Sequence, residues 1–148
     1  MPRKLHPISD AIQAKLAEVR VARLATLSVE FSPHIVPVCF AYYGNVFYSA
    51  VDRKPKRVAP EKLARLQHIR ARSKVALLID HYDEDWSRLW YILVRGKASL
   101  IPNSAFKERT QAIRQLKGKY PQYAAGMLPD DAPIIRITPQ RITSWGAI

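Results

Sequence analysis

The sequence predicts an α+β fold in which short, mostly antiparallel strands close into a small barrel with helices as lids. Three observations carry this. The chain has 148 residues, the length of one domain. Its hydrophobic fraction of 48% suffices for a core that stands without disulfides or metal staples. Its patterning reads as the order α-β-β-β-α-β-β-α-β-β, and that many short strands avoid exposed edges most simply by closing on themselves. No repeat, low-complexity tract or Gly/Ser linker interrupts it, so residues 1–148 are read as a single domain.

The elements follow in order. Ser9 is an N-cap, Asp10 sits in the first turn, and Ile12, Leu16 and Val19 recur at helical spacing. Val21 to Leu27 switches to strand character, Val29 to Ser32 turns the chain, and His34 to Tyr42 forms a second strand. Pro37 inside it cannot donate to a ladder, which marks an edge, a bulge or a close approach. Gly44-Asn45 makes a hairpin into Val46–Ala50. A basic loop follows, and Pro60 opens a helix over Glu61 to Arg72 with Leu63, Leu66 and Ile69 as its inner stripe. Val75 to Asp80 and Leu89 to Ile101 are strands separated by a polar stretch, with Gly96 a bend or bulge. Ser104 caps a helix through Leu116, and Ile134–Ile137 and Ile142–Trp145 end the chain as two short strands.

Charge is uneven. The formal net charge is +12, and Arg53 to Lys74 alone carries nine Lys/Arg against the single acid Glu61. Such a block points to an anionic partner. Nucleic acid is not the expected one: the helix carrying Arg65, Arg70 and Arg72 offers only Gln67 and His68 as polar readers, and no nucleic-acid-binding motif is present. The longest apolar run, Ile35 to Tyr43, is about half of what spans a bilayer, and no apolar leader follows the basic N-terminus. A soluble, cytoplasmic protein without a membrane partner is expected.

The chemistry-bearing residues are few. Cys39 is the only cysteine, which excludes an internal disulfide or a multi-cysteine metal site; in an apolar strand it reads as a buried thiol. His6, His34, His68 and His81 lack ligand spacing, so no metal is expected. No nucleophile elbow and no acid–base pair stands out. What does stand out is a strand ending in Tyr48-Ser49-Ala50, then Arg53-Lys54-Pro55-Lys56-Arg57, then a helix start. Four cations in five positions beside a hydroxyl and a helix N-terminus suit a phosphate. Trp86 and Trp90 are candidates for the walls of an aromatic cofactor or for core residues, and Tyr82 is a candidate proton donor or a packed tyrosine. A phosphate site with aromatic walls but no catalytic dyad fits cofactor chemistry.

The run Arg23-Leu24-Ala25-Thr26, the strand His34 to Phe40 and the segment Tyr48 to Arg57 together resemble the pyridoxamine 5′-phosphate oxidase-like split β-barrel superfamily. The run Asp80-His81-Tyr82-Asp83-Glu84-Asp85-Trp86-Ser87-Arg88-Leu89-Trp90 resembles, within it, the branch of oxidoreductases that use the deazaflavin coenzyme F420. The resemblance spans about residues 10 to 146. It implies an FMN-binding type of split barrel, a homodimer with cofactor sites at the subunit interface, and hydride transfer to or from an organic substrate. It further implies that Arg53, Lys54, Lys56 and Arg57 hold the cofactor phosphate with help from Ser49 and Ala50. Pro37 and Val38 would back the ring, and Trp86 and Trp90 would contribute from the partner subunit. FMN is the alternative cofactor, and a non-catalytic carrier of coenzyme or haem the alternative function. The charge of +12 suits the polyglutamate tail of F420 better than the lone phosphate of FMN. Two departures separate the chain from pyridoxamine phosphate oxidases proper, which carry a basic residue after the second strand and an Arg-Leu-x-Pro motif near the C-terminus. Here the chain reads Phe40-Ala41-Tyr42-Tyr43 and ends Arg141-Ile142-Thr143-Ser144-Trp145-Gly146, so oxidation of vitamin B6 phosphates is not the expected activity.

Overall fold

The computed structural model describes residues 8–55, 59 and 63–148. Ser9 accepts the Ile12 amide at 3.2 Å and starts α1 (Asp10–Glu18), as the cap signal predicts. Seven strands follow: β1 (Ala22–Leu27), β2 (Pro33–Val38), β3 (Ala41–Tyr43), β4 (Val46–Ala50), β5 (Lys74–His81), β6 (Trp90–Leu100) and β7 (Ile134–Gly146). Helix α2 (Ala64–Ala71) precedes β5, a 3-10 turn spans Trp86–Arg88, and α3 (Phe106–Lys119) with a short π-helical turn (Tyr123–Met127) separates β6 from β7. The predicted start of the second helix at Pro60 lies outside the described residues.

The sheet is antiparallel throughout, in the order β2-β1-β5-β6-β7-β4-β3. β2 and β3 occupy opposite edges, yet only Cys39 and Phe40 separate them in the chain. The three steps from Val38 to Ala41 reach only about 11 Å, so the sheet has to curl until its edges meet. This is the split barrel, and Cys39-Phe40 is its seam. The single strand expected over His34 to Tyr42 is therefore two strands, because the chain leaves one edge and joins the other. Side chains satisfy the backbone groups freed there: the Tyr120 hydroxyl accepts from the Phe40 amide (2.9 Å) and donates to the Arg20 carbonyl (2.7 Å), while Ser49 Oγ donates to the Cys39 carbonyl (2.8 Å).

Local signals hold elsewhere. Gly44 and Asn45 both have positive φ (59° and 63°), the geometry of a two-residue hairpin turn. The register of β6 on β7 shifts between Arg95 and Gly96, which is the predicted bulge. A Cβ on Gly96 would lie 3.0 Å from the Thr138 carbonyl carbon and 3.1 Å from Pro139 Cα. Pro139 is tolerated within β7 because it faces this bulge. The two C-terminal strands expected from the sequence are thus one, its polar middle kept in the ladder by β6. The Ser104 cap is also corrected: the Ala105 amide bonds the Pro102 carbonyl (3.0 Å), this turn delays the helix, and Ala105 becomes its N-cap.

Two apolar clusters form. The barrel interior holds Leu24, Phe40, Phe47, Leu77, Ile92 and Ile135, with Leu16 from α1 and Leu66 and Ile69 from α2. Outside it, α3 and the π-helical turn cover Ala41, Tyr48, Ala50 and Ile134 with Leu116, Tyr120, Tyr123 and Leu128. β4 is consequently buried on both faces, which explains its unbroken run Val46-Phe47-Tyr48-Ser49-Ala50. Among the described residues no helix is long and apolar enough to cross a membrane.

Candidate functional site

The seam, the end of β4 and helix α2 enclose a cavity of about 350 Å³, lined by Val21, Pro37, Val38, Cys39, Ala50, Asp52, Lys54, Pro55 and Arg65. Four sequence candidates, Pro37, Val38, Ala50 and Lys54, therefore come together in space. Pro37 sits on edge strand β2 opposite Arg23, the kind of position at which a sheet tolerates proline. The loop carrying Lys54 leaves β4 and is fixed by main-chain bonds from Val51 N to Pro133 O and from Arg53 N to Met127 O, both 2.9 Å.

Asp52 organises the polar wall. Its side chain is only 4% exposed; it forms an ion pair with the Lys54 ammonium and accepts from the Lys54 amide (3.0 Å) and the Tyr123 hydroxyl. Burial alone would push its carboxyl up, but the hydrogen bonds from Lys54 and Tyr123 outweigh that and hold it below the usual carboxylate range. Asp52 is thus a fixed anion that orients Lys54. On the Tyr123 side, burial first, and then the bond to Asp52, raise the hydroxyl well above an ordinary tyrosine.

Arg65 enters the same cavity from α2. Its Nε is buried without a hydrogen-bond partner among the described residues. Burial depresses its guanidinium pKa, and Asp52 and Tyr123 only partly offset the effect. An orphaned donor on a desolvated cation is a costly feature in a folded protein, and it marks a place where a bound water or anion would be stabilising. The sequence places Arg65 among the exposed cations of its helix, and the structure turns it inward. Arg72 leaves that set too: its Nε donates to the Ser28 carbonyl (3.0 Å) and its guanidinium lies 3.6 Å from the Phe31 ring centre, so the arginines do not form one stripe along the helix.

The remaining candidates fall elsewhere. Ser49 is 2% exposed with its hydroxyl proton committed to the Cys39 carbonyl, so it braces the wall from behind. Arg53 is exposed on the loop beside Lys54. Lys56 and Arg57 lie outside the described residues. Trp86, on the 3-10 turn, is 72% exposed and is not a wall of the cavity. Trp90 is 6% exposed in the barrel core, stacked on His81 with centroids 6.1 Å apart; of the pair, Trp86 is the one with surface to offer a second subunit. Tyr82 is 64% exposed and is not a packed tyrosine. Cys39 departs from expectation in being only partly buried, because it sits in the seam rather than a strand. Among the described residues no group of three His, Cys, Asp or Glu is placed to hold a metal.

Comparison with known proteins agrees with this architecture. The chain superposes on a conserved hypothetical protein of Mycobacterium tuberculosis with a TM-score of 0.74 at 17% identity, covering 99% of this chain and 89% of that one. HutZ, the heme storage protein of Vibrio cholerae, gives 0.72 at 12% identity over 95% of each chain. An FAD-binding protein of Mesorhizobium loti gives 0.66 at 20% identity, covering 93% of this chain and 94% of that one. At such identities the likeness is one of fold. A search of curated protein sequences returned no match. The sequence profile described as pyridoxamine 5′-phosphate oxidase matches residues 8–146. With a match of that extent on a split barrel of seven antiparallel strands, the chain belongs to the pyridoxamine 5′-phosphate oxidase family.

Proposed function

We propose that the protein is an oxidoreductase that binds the deazaflavin coenzyme F420 in the seam cavity, as a homodimer with its sites at the subunit interface, FMN being the alternative cofactor. The observation that carries this reading is Arg65, whose buried Nε has no partner among the described residues and which lines the same cavity as Lys54. Family membership, the FAD-binding relative by fold and the net charge of +12 support it.

In this reading Arg53, Lys54, Lys56 and Arg57 form the phosphate loop and Arg65 adds a fifth cation from α2. Asp52 tethers the exposed Lys54 side chain at the rim of the cavity. Pro37, Val38 and Ala50 supply an apolar surface for a flat ring and exclude water on that side. Ser49 holds the Cys39 carbonyl and so the shape of the seam. Trp86 is assigned to the neighbouring subunit's cavity. When bound, the coenzyme supplies the hydride, and the protein supplies binding, orientation and a dry environment. No side chain is assigned as obligatory proton donor.

A second reading, a non-catalytic carrier, is favoured by the likeness in fold to HutZ. Titrating the purified protein side by side with F420, FMN and haem separates the two. Saturable binding of F420 tighter than FMN, with hydride transfer to an organic acceptor, is the expected result. Preference for FMN would change the cofactor and keep the site. Haem uptake without turnover would establish the carrier, and binding of none of the three would overturn the proposal.

A further inference from the structure

A second cavity, about 580 Å³, adjoins the first: Val21, Cys39, Asp52 and Lys54 line both spaces. Its remaining lining comes from Arg20, just after α1, and from the segment following α3: Tyr120, Pro121, Gln122, Tyr123 and Met127. We propose that this cavity is the acceptor subsite and that it selects a flat, largely apolar molecule carrying one anionic group. The assignment to an acceptor rests on the cofactor reading above; the chemical class does not.

Three features define that class. The volume lies within the range of ordinary small-molecule sites, about 300–1,000 Å³. Its aromatic walls offer ring surface and few new donors. Tyr120 and Tyr123 stand 5.2 Å apart between centroids, and both hydroxyls are engaged, the first with the Phe40 amide and the Arg20 carbonyl, the second with Asp52. Pro121, Met127 and Val21 extend that apolar lining. The charges are not symmetric. Lys54 is ion-paired with Asp52, whereas Arg20 has no carboxylate partner among the described residues; its guanidinium bonds the Lys119 carbonyl and lies 5.8 Å from the Tyr120 ring centre. A ligand lying along the tyrosines would therefore meet the Arg20 guanidinium, an exposed cation at the edge of the cavity that is tethered by its bond to the Lys119 carbonyl.

The test uses 2-naphthoate, a flat apolar anion, and its neutral isostere 2-naphthamide, with binding read by fluorescence anisotropy. The wild-type protein should bind naphthoate more tightly than naphthamide. Arg20→Gln should weaken naphthoate by about 10-fold, the scale of one charge-assisted hydrogen bond, and leave naphthamide unchanged. Met127→Trp should exclude both probes, with its thermal melt measured to show that it folds; should it fail to fold, Gln122→Trp serves instead. Bound naphthoate should not displace F420 or FMN. Equal naphthoate binding by wild type, Arg20→Gln and the tryptophan variant would overturn the subsite, as would competition between naphthoate and the cofactor. Failure of both cofactors to bind, with the naphthoate pattern intact, would overturn the cofactor reading alone and leave the chemical class of this cavity standing.

Discussion

Replacing Arg65 by Met should move two quantities in opposite directions. Among the described residues the Arg65 Nε is buried without a partner, and an unsatisfied buried donor costs about 1–3 kcal/mol. Methionine keeps an unbranched stem of similar reach and removes that donor and its charge. Part of the gain is lost again, because the nearby Asp52 carboxylate offsets some of the desolvation of Arg65; Lys54 and Tyr123 still hold Asp52 in the variant. The net expectation is a free protein stabilised by roughly 0–2 kcal/mol, seen as a rise in Tm of about 2–4 °C per kcal/mol for a domain near this size. Cofactor affinity should fall by about 1.5–3 kcal/mol, the range for a hydrogen bond to a charged group, or roughly 10- to 150-fold in Kd. Urea unfolding of the free protein and fluorescence titration with F420 and FMN give the two numbers. A site residue trades stability for binding. A variant less stable than wild type by more than about 1 kcal/mol, with cofactor affinity within twofold, would show that Arg65 is structural and refute the reasoning.

Three further outcomes follow from the same geometry. Cys39 is the only thiol and lines both cavities, so saturating cofactor should slow its alkylation by N-ethylmaleimide, whereas an unchanged rate would place the cofactor elsewhere. Asp52 is held below its usual range, so its contribution to stability is complete above about pH 4, its unfolded value, and is lost as pH falls through the lower folded value. Tyr123→Phe should remove about 1.5–3 kcal/mol at neutral pH, the worth of a hydrogen bond to a charged group, and bring the acid-side loss to higher pH; a pH-independent effect in urea unfolding between pH 3 and 7 would contradict this. Gly96→Ala should cost roughly 1–3 kcal/mol, since the added methyl meets the Thr138–Pro139 backbone and not a movable side chain, and a neutral effect on Tm would show that the bulge opens freely.

What the sequence reveals here is what neighbouring residues decide. The Ser9 cap, the Gly44-Asn45 turn and the Gly96 bulge are each set by a conformational preference within a few positions, and each stands where the sequence places it. The break between β2 and β3 is different. Cys39 and Phe40 leave the ladder because the barrel closes there, and the groups that stabilise the break, Tyr120 and Ser49, are up to 80 residues away in sequence. The polar interval between Ile137 and Ile142 reads as a gap between strands until β6 is laid beside it. The site divides the same way. Pro37, Val38, Ala50 and Lys54 were legible as one group, whereas Arg65 was submerged in a run of basic residues. A signal was present: Arg65 is four residues before Ile69 and so shares its helical face, and Ile69 is 4% exposed in the core.

The central claim is that an anionic cofactor satisfies the orphaned donor of Arg65. Its most direct test is the NMR resonance of the Arg65 Nε–H group, assigned by its loss in Arg65→Lys and followed while the cofactor is added. The account predicts a downfield shift and slowed solvent exchange of that proton as F420, or FMN in its place, saturates the site. Saturation with the resonance unmoved would mean that the cofactor binds without Arg65, and the assignment of the cavity would fall.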